Sequence, residues 1–272
     1  MRFYDAHNHL QDERLRSILI DVTQECERVG VACAVVNGSC EQDWQDVLSL
    51  AAAHHWVLPS FGYHPWYVHE ASATWRDTLL RYLDAVPSAI GEIGLDRWKE
   101  GLDPVLQEEF FLAQLEIAAE RDLPVSIHCL KAWGRLLELL STHRLPRCGF
   151  VLHSYGGSVE MIPQLARLGA YFSCPGYYLE GSKRKKLEVF RSVPSERLLI
   201  ETDAPDQSLP LALDRYGLQD EHMRRINHPA LLPTVYEGVA QFLGTPLLDL
   251  TASVAENFER LFGKLMQGAR YP

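Results

Sequence analysis

The chain has 272 residues, 47% of them hydrophobic and 23% charged, the balance of an ordinary globular enzyme rather than of a disordered or fibrous chain. A formal net charge of −10 repels polyanions on average, which counts against a nucleic-acid-binding module with a broadly basic surface. It does not exclude an enzyme whose metal ions supply local positive charge.

No uninterrupted apolar run approaches a membrane span, and the strand pattern begins right after Met1, leaving no room for a secretory leader. Residues 1–272 therefore read as one soluble, cytoplasmic domain. In chain order, short β-branched runs alternate with longer amphipathic stretches, which predicts strands at 2–9, 31–37, 56–62, 88–93, 124–128, 149–153, 170–174 and 197–203. Ser39, three residues before Gln42, resembles a capping box, and Asp103-Pro104 reads as an N-cap followed by a proline in the first turn. Gly30 and Gly169 stand where helices should stop. Two more helices, roughly 229–243 and 247–262, follow the eighth strand. The six cysteines are scattered without C-x-x-C spacing, so reduced thiols are expected.

Eight β-α units fit a closed (β/α)8 TIM barrel with extra C-terminal helices. An open doubly wound sheet fits less well, because no G-x-G-x-x-G follows any strand. In such a barrel the active site lies at the C-terminal ends of the strands. There "FYDAHNHL" carries His7 and His9, which strand alternation places on one face. Strand three runs into "GYHP" with His64, strand four ends in "GEIGLD" with Glu92, and strand five in "SIHC" with His128. Strand six ends in "VLHS" with His153 and strand eight in "ETDAPD" with Asp203.

Any one of these, alone, is ordinarily a hydrogen-bonded strand-end residue. Together, without a metal, they would crowd imidazoles and acids into one barrel mouth, and unpaired buried charge is expensive. His7, His9, Glu92, His128, His153 and Asp203 are therefore expected to hold metal. Six ligands exceed the needs of one four-coordinate ion, so two divalent ions sharing a bridge are expected. Glu92, with two oxygens, is the best bridge. Histidine-rich ligation favours zinc, manganese, iron or nickel over magnesium and leaves the identity open.

The ordered motifs "DAHNHL", "GYHP", "IGEIGLD", "PVSIHC", "VLHSYGGS", "LLIETDAP" and "NHPALLP", from Asp5 to about Pro233, resemble the TatD family of metal-dependent deoxyribonucleases in the amidohydrolase superfamily. The resemblance implies one metal held by His7, His9, Glu92 and Asp203 and a second by Glu92, His128 and His153, with His64 near the substrate phosphate. Three departures bear on substrate. Cys129-Leu130-Lys131 replaces a Ser-Arg-Asp-like run, and Ser154-Tyr155-Gly156-Gly157 replaces a Cys-Phe-Ser/Thr-Gly run. Ile226, not arginine, precedes Asn227, with Arg225 one place back.

The leading expectation is hydrolysis of DNA phosphodiesters by a two-metal site. Asp203 would aim the attacking water, Glu92 would bridge, and His64 or Lys131 would contact a non-bridging oxygen. Glu201 shares the face of Asp203 and is expected as a supporting partner of the site rather than a ligand. The alternative is a superfamily hydrolase of a small amide, lactone or ester, favoured by the missing arginine and the acidic charge. Lys183, Arg184, Lys185 and Lys186 form either a solvated helix face or a phosphate-binding run. Trp66, Tyr67, Tyr177 and Tyr178 either pack their loops or stack bases. DNA is the expected partner and no membrane is; the oligomeric state stays open, a monomer included.

Overall fold

The computed structural model describes residues 1–268. All eight expected strands form: β1 (Phe3–Asn8), β2 (Val31–Asn37), β3 (Val57–Phe61), β4 (Ala89–Asp96), β5 (Val125–Leu130), β6 (Phe150–Leu152), β7 (Ala170–Pro175) and β8 (Leu198–Glu201). They pair in parallel in sequence order, with α1 (Leu19–Val29), α2 (Trp44–Ala53), α3 (Trp75–Ala85), α4 (Pro104–Arg121), α5 (Trp133–Thr142), α6 (Ile162–Arg167) and α7 (Arg184–Glu188) in the crossovers. After β8 come α8 (Leu232–Leu243) and α9 (Leu247–Gly268). The architecture is the (β/α)8 barrel. No helix among the described residues is long and apolar enough to cross a membrane.

Local chemistry explains several boundaries. Asp103 caps α4 by accepting from the amides of Val105 and Leu106, and Gly30 ends α1 in the left-handed conformation at φ +89°. Gly169, at φ +100°, follows α6 as expected. The Ser39/Gln42 capping box does not form. The Asp43 carboxylate instead accepts from the amides of Ser39 and Cys40, which holds a turn there and delays α2 until Trp44. β4 and β5 also run further than expected, because Gly94, Leu95 and Asp96 pair with His128, Cys129 and Leu130. A Cβ at Gly94 would lie 2.0 Å from the His128 carbonyl oxygen, so only glycine allows that approach. Conversely β8 stops at Glu201, and Asp203 stands beyond it in the left-handed region at φ +54°.

The seam between β1 and β8 closes without a regular ladder. The Tyr236 hydroxyl on α8 donates to the Tyr4 carbonyl (2.8 Å) and accepts from the Tyr4 amide (3.2 Å). The Asp5 carboxylate accepts from the Thr202 amide (2.9 Å) and hydroxyl (2.6 Å). Beyond them, the Asp203 amide donates to the His7 carbonyl and the His9 amide to the Ala204 carbonyl, at 3.0 and 2.7 Å. α9 packs over the same seam, where Phe258 meets the Tyr4 ring and Asn257 donates to the Leu198 carbonyl. It extends past the expected 262 to Gly268. All six cysteines are free.

Candidate active site

Alternation along β1 turns His7 inward, and one residue past the strand His9 joins it, their Nε2 atoms 3.2 Å apart. The other imino nitrogen of each ring is engaged. His7 Nδ1 lies 2.7 Å from Ser126 Oγ, and His9 Nδ1 lies 2.8 Å from the Asn37 carbonyl oxygen. In the tautomers that carry the hydrogen on Nδ1, both Nε2 lone pairs face the same point. Glu92 Oε2 is 3.4 and 3.2 Å from these two nitrogens, and Asp203 Oδ1 is 3.5 and 3.7 Å from them. An ion about 2.0–2.2 Å from four tetrahedral ligands needs ligand-to-ligand edges of about 3.3–3.6 Å, so this set fits a divalent cation.

A second set forms on the other oxygen of Glu92. Oε1 lies 2.9 Å from His128 Nδ1 and 2.9 Å from His153 Nε2, and those nitrogens are 3.2 Å apart. Burial alone would push the Glu92 carboxyl up. The imidazoles of His153, His64 and His7 and the hydrogen bond from His128 outweigh it and hold the group well below the usual carboxylate range. Asp203 shows the opposite balance: burial, reinforced by Glu201 and Glu92, pushes it up to about 7 against the attraction of His153 and His9. A bound cation favours the carboxylate form of both.

His64 is buried, with Nε2 3.6 Å from Glu92 Oε1. Its Nδ1 accepts the Trp66 amide at 3.1 Å, which places the ring hydrogen of the neutral tautomer on Nε2. Burial, with the neighbouring imidazoles of His128 and His9, keeps the ring neutral, well below the usual histidine range, despite the opposing attraction of Glu92. An Nε2–H suits an anionic oxygen better than a metal. Lys131, directly after β5, is exposed at φ +54°, and among the described residues its ammonium makes no ion pair.

Several supporting residues escaped the sequence reading. Asp96, the last residue of "GEIGLD", lies 3.1 Å from His128 Nε2 and accepts the Trp66 indole N–H at 2.7 Å. It thereby leaves His128 Nδ1 free toward Glu92. Its acidic character at the end of a strand was the available signal. Glu201, expected as a support, accepts from Ser154 N and Oγ and from Ser173 Oγ, and stands 3.7 Å from His153 Nδ1. Ser154, one of the departures, is thus held by Glu201. Arg225 is turned away from the centre, donating to the Leu209 carbonyl and pairing with Asp214, while Ile226 is buried.

The rim aromatics divide. Trp66 is committed to Asp96, with the Lys99 ammonium 4.3 Å from its ring centroid, and the Tyr178 hydroxyl donates to the Ser154 carbonyl. These two hold loops, while Tyr67 and Tyr177 are partly buried. The basic run divides too. Lys183 and Lys186 lie over the rings of Tyr177 and Tyr178, each ammonium 5.1 Å from its centroid. Arg184 turns outward to Glu188 and Phe242, and Lys185 is exposed.

A parallel barrel with clustered histidines and carboxylates at the carboxyl ends of its strands has the build of a metal-dependent hydrolase. The profile of the TatD related DNase family matches residues 4–263. A 3'-5' ssDNA/RNA exonuclease TatD of Escherichia fergusonii is 33% identical over 248 residues, covering 89% of this chain and 92% of that one. The Citrobacter rodentium exonuclease of the same name is 33% identical, covering 92% and 93%. The crystal structure of YJJV, a TatD homologue from Escherichia coli, superposes with a TM-score of 0.86 at 26% identity, covering 96% of this chain and 98% of that one. A TatD family hydrolase of Entamoeba histolytica shares the fold at a TM-score of 0.83 and 22% identity. The chain belongs to the TatD related DNase family, and it is a hydrolase of phosphodiester bonds.

Proposed function

We propose that this chain is a two-metal exonuclease that removes nucleotides from the 3' end of single-stranded DNA or RNA. The observation that carries the two-metal reading is the division of Glu92: Oε2 faces His7 and His9 while Oε1 faces His128 and His153. One carboxylate thereby joins two imidazole sets. The single-strand and polarity reading rests on the names of the relatives, of which this chain covers more than nine-tenths.

His7, His9, Glu92 and Asp203 would hold one divalent ion, and Glu92, His128 and His153 the other. Bound ions supply Lewis-acid polarisation of the phosphate and a lowered pKa for water. Asp203 would aim the attacking water by accepting a hydrogen bond from it. His64 donates Nε2–H to a non-bridging phosphate oxygen, where its charge grows in the transition state. Lys131 at the mouth attracts the adjacent phosphate. The set favours zinc, manganese, iron or nickel, with magnesium as the poorest match to imidazole.

The test is digestion of 5'-labelled single-stranded DNA, RNA and duplex with Mg2+, Mn2+ or Zn2+, beside a panel of cyclic amides, lactones and esters. A ladder shortening from the 3' end is expected. Internal cuts alone would refute the polarity, and turnover of a lactone without cleavage of any oligonucleotide would restore the small-molecule alternative.

A further inference from the structure

Gln207 lies in the connection after β8, its backbone left-handed at φ +49°. Its Nε2 donates to Asp203 Oδ2 at 2.5 Å and to Ser154 Oγ at 2.6 Å, which uses both amide hydrogens. The partners decide the orientation of the amide. Reversed, Oε1 would face a carboxylate oxygen, and it would face a serine whose hydrogen is already given to Glu201 Oε1 at 2.5 Å. Oε1 is accordingly left buried with no partner. The hydrogen bonds run one way, from Gln207 to Ser154 to Glu201, with a branch to Asp203.

The branch has a consequence for the centre. With Oδ2 engaged, Asp203 presents Oδ1 to His7 and His9, at 3.5 and 3.7 Å. A carboxylate on a short side chain, free of that tether, rotates about its terminal torsion, which is broad and roughly two-fold. The tether also joins two residues held in the left-handed region, Ser154 at φ +44° and Asp203 at φ +54°. Such conformations persist where surrounding contacts over-determine them.

We propose that Gln207 is a positioning residue: by tying Asp203 Oδ2 to Ser154, it fixes Asp203 with the single oxygen Oδ1 toward the cation set. The inference rests on the metal-dependent reading given above. Gln207 lies two residues past "LLIETDAP", outside the motifs that carry the family resemblance.

The test is calorimetric titration of Mn2+ into the full-length, chelator-treated chain. Gln207→Met keeps the length and removes both donors. It should weaken Mn2+ binding about tenfold, the low end for a residue that orients a ligand. kcat should fall by a similar factor while KM for a short oligonucleotide stays within about twofold. In an Asp203→Ala background the same change should cost no further Mn2+ affinity, because its route is gone. If Gln207→Met fails to fold, Gln207→Asn, too short to span both partners, should show the same loss. Wild-type Mn2+ affinity in the folded variant, or an undiminished loss in the Asp203→Ala background, would overturn the proposal. A wild-type chain that takes up no Mn2+ or other divalent ion would sink the metal-dependent reading itself, and this role with it.

Discussion

The carboxylate of Asp5 on β1 accepts both the amide and the hydroxyl hydrogen of Thr202, 197 positions along the chain. Asn8 Nδ2 donates to it as well, at 3.1 Å. One buried acid thereby stands in for ladder bonds where the barrel closes, directly beneath His7 and Asp203. Asp5→Asn keeps the shape but turns an N–H toward the hydrogens of Thr202 or Asn8. A stability loss of about 2–4 kcal/mol is expected in urea unfolding, from buried donors left unpaired. Unchanged stability would show that α8 and α9 close the seam without Asp5.

Glu92→Gln should leave a folded protein with activity down by several orders of magnitude, since a neutral amide bridges two cations poorly. Elemental analysis after metal loading should show about two equivalents in the wild type and one or fewer in the variant. Two equivalents with near-wild-type turnover in the variant would remove Glu92 as the bridge.

Asp96→Asn tests the residue that orients His128. The amide offers one acceptor where the carboxylate serves His128, Trp66 and the amides of Trp98 and Lys99. Metal affinity should fall about 10–100-fold. Wild-type affinity would mean that packing alone orients the ring.

His228 supplies a pH dependence away from the metal ligands. Its Nδ1 accepts the Ala230 amide at 3.0 Å, and its ring stacks on Tyr216 with centroids 3.9 Å apart. Burial pushes its pKa down to about 4, with Arg215 in the same direction and Glu25 and Asp214 opposing. The unfolded chain therefore binds the proton first, and stability falls as pH drops from about 6.5 toward 4, by on the order of 2 kcal/mol. His228→Asn keeps an acceptor for the Ala230 amide but does not titrate. Its urea midpoint should decline less between pH 7 and pH 4.5; parallel declines would assign the acid sensitivity elsewhere.

Of the basic run, only Lys183 and Lys186 face the rim. Lys186 Nζ is 3.6 Å from where a Cβ on Gly156 would stand, and among the described residues neither lysine has a carboxylate partner. Burial, then the charge of Lys183, pushes the Lys186 ammonium down, the condition that a phosphate would relieve. Replacing both lysines by Glu should raise KM for an oligonucleotide about tenfold and flatten its salt dependence, with a small phosphodiester hardly affected. The Arg184→Glu, Lys185→Glu pair is the control and should change little. Equal effects from the two pairs would reduce the run to a diffuse field.

By itself the sequence determined the eight strands, their parallel order and the six histidines and acids at the strand ends, because β-branched runs and period-two alternation are local properties. His7, His9, Glu92, His128, His153 and Asp203 all follow such runs within a residue or two, and a barrel brings those ends together whatever its loops do. Only the tertiary structure decided which atom of each residue faces which. The selection of His128 Nδ1 by Asp96, the hold of Ser154 and Ser173 on Glu201 and the bond from Gln207 to Ser154 are contacts between different strands and loops. They depend on the stagger of neighbouring strands and on left-handed turns at Ser154, Asp203 and Gln207, none of them a glycine that would have marked the turn. The division of the basic run has the same origin: successive residues in a short helical stretch point to different sides, and only the packing of Tyr177 and Tyr178 shows which side is the rim.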